Sequence, residues 1–304
     1  MLSMVDVVNI SCHGLQHLGK HDLRFLVTFQ IFLAITATLG NALILIALSK
    51  ESSLHPPSKI LLRSLALTDF CVGLLLDPLF VSVLITTENE NLDLCVSINL
   101  ISSLTTEVLC LVSLLTLTAI SVDRLLALLL GIRYRQVVTF KRVLMVVIGL
   151  WTLIVGIAFM KFWTANASLY YVTIVILLCI MVSTCCYIKI YQKLLQQQAQ
   201  IQEHLHQGQQ NGHAPLNIAR YRKTVSSALW VQFSVLACYF PVGIIMALMI
   251  IRGLNPSLTV AWIFSATFML LNSTLNPILY CWKIADVRRA VIDIIRPIVC
   301  YLSN

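Results

Sequence analysis

The sequence predicts an all-α membrane protein: a bundle of seven transmembrane helices followed by a short amphipathic eighth helix. Three observations carry this. The 304 residues are 59% hydrophobic and only 11% charged, too little polar surface for a chain of this length to face water. Seven apolar runs, near 25–49, 60–85, 96–130, 143–163, 169–191, 225–251 and 258–282, each reach the roughly 20 residues needed to cross the hydrocarbon core. The basic residues are also lopsided. With the N-terminus outside, the outer segments hold only Lys20, Arg24, Lys161 and Arg252, and the rest of the 21 Lys and Arg face the cytosol. The same composition excludes a disordered chain, and its sparse charge excludes a nucleic-acid track.

Residues 1–24 read as an extracellular N-terminus without a basic flank or apolar core of a cleavable leader, so the first span is expected to insert as its own signal. Residues 25–283 form the membrane domain and 284–304 a juxtamembrane helix and cytoplasmic tail. The third run is long enough to tilt. Between the fifth and sixth spans, 196–219 is Gln-rich with Gly208, Gly212 and Pro215, which predicts a flexible cytoplasmic linker carrying solvated His204, His206 and His213. In the last segment Ile284, Val287, Val291 and Ile295 fall at helical spacing beside Arg288 and Arg289, as in a helix lying on the inner leaflet. Cys300 beyond it is a palmitoylation candidate. Sequons at Asn9 and Asn166 fall outside and are glycosylation candidates, whereas the one at Asn272 lies within the last span. Most of the ten cysteines sit in apolar runs and read as small buried hydrophobes.

Polar groups inside spans each need a reason. Asp69 stands midway along the second span, and Ser113, Asn272, Ser273 and Asn276 are polar at comparable depth. Asn272, Asn276 and Tyr280 recur every four residues and share one helix face. This set of hard oxygen donors reads either as a sodium site or as a network that satisfies Asp69. Asp123-Arg124 closes the third span, and such a pair at a helix end reads as a local ion pair. Thr106, Cys110 and Ser113 share the face of Arg124. Pro241 and Pro277 interrupt the sixth and seventh spans and kink them.

In this order these features resemble the class A (rhodopsin-like) G-protein-coupled receptors. The resemblance spans about residues 25–296. It rests on Gly40-Asn41, Leu65-Ala66-Leu67-Thr68-Asp69, Ser121-Val122-Asp123-Arg124, Arg133-Tyr134, Trp151, Tyr187, Cys238-Tyr239-Phe240-Pro241 and Asn276-Pro277-Ile278-Leu279-Tyr280. It implies a receptor that converts an extracellular ligand into activation of a heterotrimeric G protein at the plasma membrane, by outward movement of the sixth helix. Asp123, Arg124, Tyr134, Tyr187, Tyr239, Pro241, Asn276, Pro277 and Tyr280 would then form the activation switch and coupling surface. Asp69, Ser113, Asn272 and Asn276 would form a pocket for sodium as an allosteric ion, with no other cofactor. The basic inner face would meet anionic membrane lipid as well as the G protein.

The departures from the family pattern are specific. Tyr239 stands for the usual Trp, Leu125 for the Tyr after Arg124, and Gly131 for a loop proline. The foot of the sixth span reads Arg220-Tyr221-Arg222-Lys223, without the acid that often pairs with Arg124, which implies signalling without agonist. The short second outer loop has no cysteine, so Cys95 cannot make the family's usual disulfide. Cys12 is the other cysteine outside, leaving a Cys12–Cys95 bridge or two free thiols as alternatives. These traits resemble the melanocortin, adenosine and lipid-receptor branch more than the amine branch.

The ligand-pocket candidates are Asp77, Thr106, Glu107 and Tyr239. Thr106 stands where amine receptors place an Asp, and Glu107 falls some 100° off the polar stripe, toward a neighbouring helix. The rival reading is a transporter or channel, which intramembrane polar groups also mark, but no internal repeat is visible. An enzyme is disfavoured, because the spans hold no histidine and no Gly-x-Ser-x-Gly pattern.

Overall fold

The computed structural model describes residues 4–50, 55–160, 165–206, 214–283 and 285–302, and every regular element among them is helical. Seven helices are long and apolar enough to cross a membrane: Lys20–Lys50, Pro56–Glu88, Leu92–Val137, Phe140–Phe159, Ser168–Gln200, Gln232–Arg252 and Pro256–Trp282. Their outward faces present Phe32, Leu39, Leu75, Ile101, Met145, Ile148, Phe159 and Phe268, side chains that a bilayer covers and water would not tolerate in such numbers.

Local chemistry sets the ends. Asn91 caps the third span, its Oδ1 accepting the Leu94 N–H at 3.2 Å, and that helix stops at Gly131, whose φ of 52° favours a residue without Cβ. Gly253, at φ 75°, ends the sixth span. Two residues later Asn255 caps the seventh, accepting the Leu258 N–H at 2.9 Å, with Pro256 opening the helix where its missing N–H costs nothing.

The second span is not one regular helix. Pro78 cannot donate to the turn before it, and the chain answers with a π-turn over Val72–Leu76, closed by the Asp77 N–H on the Val72 carbonyl. Gly73 in that turn lies against the first span so closely that an added Cβ would stand 2.6 Å from Thr38 Oγ1 and 2.7 Å from its backbone nitrogen.

Pro277 poses the same problem in the seventh span, since it leaves the carbonyl of Ser273 without its helical donor. Asn41 of the first span supplies one, its Nδ2 standing 3.0 Å from that oxygen. Gly40 beside it admits the proline ring, which would lie 3.1 Å from an added Cβ. The Gly40-Asn41 pair is thus explained by a proline more than 200 residues away.

One element was not anticipated and two expectations are corrected. The N-terminus contains a helix, Met4–Leu15, which buries Val8, Cys12 and Leu15 over one end of the bundle. Those residues recur at helical spacing, a signal obscured by the polar residues between them. The expected linker is largely helical. The fifth-span helix runs to His206 and the sixth begins at Ala214, because Gln, Leu and Ala are good helix formers even in water. The C-terminal helix is longer than expected, Ala285–Leu302, and turns Val287 and Val291 inward. The side chains of Asn166, Arg222, Lys223 and Cys300 lie outside the described residues.

Gly73→Ala is expected to lower stability by about 1–3 kcal/mol, since neither the Thr38 backbone nor the π-turn can retreat. Melting of purified protein in nanodiscs measures this. Gly156→Ala, where nothing lies within 4 Å, provides the control that does not lose stability.

Candidate functional site

Three polar features lie along the bundle from the N-terminal helix to the opposite end. The first is a cavity of about 170 Å³ between the third, fifth, sixth and seventh spans. Its roof is the N-terminal helix, which contributes Val7, Val8 and Ser11. Cys12 and Cys95 are disulfide-bonded, so the roof is tied to the third span, and Asn99 Nδ2 donates to Cys12 Sγ at 3.8 Å. Of the two alternatives left open by the sequence, the structure holds the bridge. Gly14 fits the roof against Thr259 of the seventh span, 2.9 Å from where a Cβ would stand. Asn9 is exposed on the opposite side of this helix.

Thr106, Glu107 and Tyr239 line the cavity as anticipated. Glu107 is buried and turned toward the fifth span, where Ser168 Oγ donates to its Oε2 at 3.1 Å. It therefore meets a neighbouring helix and lines the cavity at once. Tyr239 is fully buried, and its hydroxyl donates to the Cys110 carbonyl at 3.4 Å. Asp77 is not among the residues lining the cavity. It has no exposed surface and accepts from Gln30 Nε2 of the first span at 2.6 Å. The π-turn before it explains the displacement. One extra residue in a turn rotates everything beyond it by about 100° relative to a regular helix, so a count at 3.6 residues per turn misplaces Asp77.

Deeper, Asp69 has no exposed surface. Its Oδ1 accepts from Ser113 at 3.1 Å and Ser273 at 2.8 Å, and its Oδ2 from Asn276 Nδ2 at 2.7 Å. Three of the four expected members, Asp69, Ser113 and Asn276, are assembled. Asn272 is not joined to this carboxylate. Its Oδ1 accepts instead from Ser234 of the sixth span at 3.5 Å, and Ser273 takes the place expected of it. Adjacent residues on a helix differ by about 100°, so the two side chains meet different partners.

At the end of the bundle opposite the cavity, Asp123 is buried and accepts from Tyr134 Oη at 2.6 Å and Ser58 Oγ at 2.9 Å. The expected ion pair with Arg124 is replaced by these two neutral donors, and Arg124 itself is exposed. His55 packs its ring 5.2 Å from that of Tyr134, fastening the loop after the third span to the start of the second. Tyr187 is buried against Ile190 and Leu194, with Leu125 and Leu128 packed beside them. Tyr280 is buried with its hydroxyl lacking a hydrogen-bond partner. Sequence reasoning named Tyr134 but missed Ser58 and Gln30, whose neighbours in the chain give no hint of a buried acid opposite them.

A seven-helix bundle with a roofed cavity at one end, a buried carboxylate network and an exposed arginine at the far end of its third helix has the architecture of a seven-transmembrane receptor. A family model for the 7 transmembrane receptor (rhodopsin family) matches residues 40–168 and 159–280, and the chain belongs to that family. Adenosine receptor A2b of Bos taurus is 33% identical over 138 residues, 45% of this chain and 40% of that protein. Adenosine receptor A2b of Rattus norvegicus is 31% identical over 144 residues, 47% of this chain and 41% of that receptor. Adenosine receptor A3 of Ovis aries is 26% identical over 299 residues, 89% of each. The match spans about two-fifths of the length of the A2b receptors. These relatives are receptors and not enzymes, and family membership does not favour a transporter or channel.

Replacing Asn41 with Ala strands the Ser273 carbonyl and is expected to cost about 1–3 kcal/mol, read as lowered melting in nanodiscs. Cys12→Ser with Cys95→Ser is expected to free the roof. Backbone amides of residues 4–15 should then exchange hydrogen faster while the seven spans keep their protection. Unchanged exchange would show that packing alone holds that helix.

Proposed function

We propose that this protein is a receptor of the plasma membrane, its N-terminus outside and its C-terminus in the cytosol, that activates heterotrimeric G proteins when a ligand occupies the outer cavity. The observation that carries the reading is the position of Tyr239. It lines the cavity, it stands two residues before Pro241, and its hydroxyl reaches the Cys110 carbonyl of the third span at 3.4 Å. A ligand that favours a different position of this ring changes the balance between two settings of the sixth span. It does so only to the extent that it binds one setting better than the other. From Pro241 to Arg222 is 19 residues, about 28 Å of helix, so a small change at the kink displaces the inner end by several ångströms.

At that inner end the exposed Arg124 is the contact we assign to the G protein, with the basic foot of the sixth span beside it and anionic lipid around it. Tyr280 would satisfy its buried hydroxyl on reaching the space vacated by the sixth span, and Tyr187 would turn toward the same water-filled cleft. The absence of an acid at 220–223 leaves the closed state without a cross-helix ion pair, which supports signalling without agonist.

The oxygen set around Asp69 fits a sodium ion in chemistry: one buried carboxylate, with the Ser113 and Ser273 hydroxyls on the same carboxylate oxygen. In this reading Asp69, Ser113 and Ser273 hold the ion, and it supplies the positive charge that no described residue places beside Asp69. The adenosine receptors it resembles do not transfer their ligand to this chain at 26% identity over the full length.

The deciding measurement is nucleotide exchange by a panel of purified G proteins with the receptor in nanodiscs. Wild-type protein is expected to accelerate exchange above the receptor-free rate, and Arg124→Ala to abolish that acceleration. Equal exchange by both would sink the proposal. For the ion, raising sodium at constant ionic strength is expected to raise the melting temperature of wild-type protein and to leave Asp69→Asn unmoved.

A further inference from the structure

We infer that Asp77 is a proton-binding site: in the folded protein it stands as a neutral carboxylic acid that shares its proton with Gln30. The inference concerns the bundle itself and does not rest on the receptor reading.

Hydrogen-bond satisfaction leads there. Asp77 and Gln30 have no exposed surface, and the bond between them joins the second span to the first, Gln30 Nε2 to Asp77 Oδ1 at 2.6 Å. That bond leaves Asp77 Oδ2 and Gln30 Oε1 buried, and no described residue donates to either. Two acceptors cannot answer each other. The local backbone offers nothing, since the Asp77 N–H is committed to the Val72 carbonyl and Pro78 has no N–H. One proton on Asp77 removes both deficits at once: it answers Oδ2 and gives the amide oxygen a donor. Neither oxygen borders a space that a water molecule can enter, which excludes a hydrated cation beside them, whereas a proton needs no room.

The length of the contact is a second, independent sign. At 2.6 Å it is shorter than the about 2.7–3.2 Å of N–H···O bonds and falls within the about 2.5–3.0 Å of O–H···O bonds. The two ends of an amide have the same shape, so Gln30 can present its oxygen to Asp77 in place of its nitrogen. The contact is then a carboxyl O–H on an amide oxygen. Either orientation requires the same proton.

The surroundings supply no positive charge in its stead. The first span has no ionisable side chain between Arg24 and Lys50, and Arg24 is paired with Glu88 at 2.9 Å. The third span brings Glu107 and the Cys110 thiol, the latter within reach of an Asp77 charge. The N-terminal helix brings Asp6 and an exposed His13, and the second span itself Asp69 and Cys71. Asp69 marks the contrast. Three side-chain donors hold that carboxylate, against one for Asp77. A buried carboxyl so poorly provided is neutral, because ionising it costs more than keeping its proton.

The test uses the full-length protein in nanodiscs and the proton itself as probe. Infrared difference spectra between wild type and Asp77→Asn at neutral pH are expected to show the carbonyl stretch of a protonated carboxyl in the wild type alone. Carboxylate bands in its place, with or without sodium, overturn the inference. Gln30→Leu keeps the acid and removes its partner, so the same band should persist and move to higher frequency. A band that stays where it was belongs to another acid and overturns the assignment even if the Asn variant does not fold. Stability against pH gives a second readout. An unfolded aspartate releases its proton near pH ~3.9, so above that pH folding takes up one proton at Asp77. Each pH unit then raises the wild-type unfolding constant about tenfold relative to Asp77→Asn, whose amide keeps both bonds and does not titrate, until Asp77 ionises in the fold. Raising the pH from about 5 is therefore expected to lower wild-type melting against that of the variant. A constant gap, or a wild type that gains, overturns the inference. Nucleotide exchange plays no part in these measurements, so their failure leaves the receptor reading standing.

Discussion

A carboxylate with no exposed surface at mid-bilayer depth has to be answered by donors held in place, and Asp69 is the group around which the spans are set. Ser113 fixes the rotation of the third span about it, and Ser273 with Asn276 fixes that of the seventh. Ser273 is engaged twice, by its hydroxyl on Asp69 and by its carbonyl on Asn41, so the first span is bound into the same chain of contacts. Four of the seven spans thus share one polar framework, and none of them can turn without stranding a buried group.

The other three are held differently. The fifth span meets the third through Ser183 and Thr118 at 3.3 Å, and the sixth meets the fifth through Gln232 and Thr184 at 2.8 Å. The sixth meets the framework itself, among the described residues, through the long contacts of Ser234 with Asn272, 3.5 Å, and of Tyr239 with the Cys110 carbonyl, 3.4 Å. Bonds of that length contribute little and are cheap to exchange. Apolar packing, which tolerates sliding better than a saturated carboxylate does, supplies the rest of its attachment. The sixth span's contacts with the Asp69 framework are therefore long ones, and Pro241 lies within that span.

Much of this was legible in the residues. Hydropathy located all seven spans because the bilayer imposes a single length and polarity on each. The motif residues Asn41, Asp69, Asp123 and Tyr134 stand where buried polar groups must be answered, and each is answered. What was not legible depends on helix phase or on distant partners. Asp77 was a pocket candidate as an acid within the second span, and the π-turn before it bears on the face it takes. Asn272 was named on the strength of the resemblance, and of the neighbours Asn272 and Ser273 it is Ser273 that bonds to Asp69. Ser58 and Gln30 carry no mark in sequence, since their roles exist only opposite Asp123 and Asp77. The roof helix was hidden because its stripe of Val8, Cys12 and Leu15 is too short to outweigh the polar composition around it.

The third span ties these features to one another. Its 39 residues make a helix of about 58 Å, and about 42 Å of it separates the Cys95 bridge that holds the roof from the Asp123 contacts that hold the loop after it. Between them it contributes Glu107 to the cavity, the Cys110 carbonyl to Tyr239 and Ser113 to Asp69. A helix anchored at both ends and in the middle cannot absorb a ligand's binding energy by shifting. The strain of filling the cavity then falls on the wall opposite, where Tyr239, Val242 and Met246 belong to a span that meets the Asp69 framework through long hydrogen bonds. Rigidity in the third helix is what makes movement of the sixth the cheapest response to occupancy.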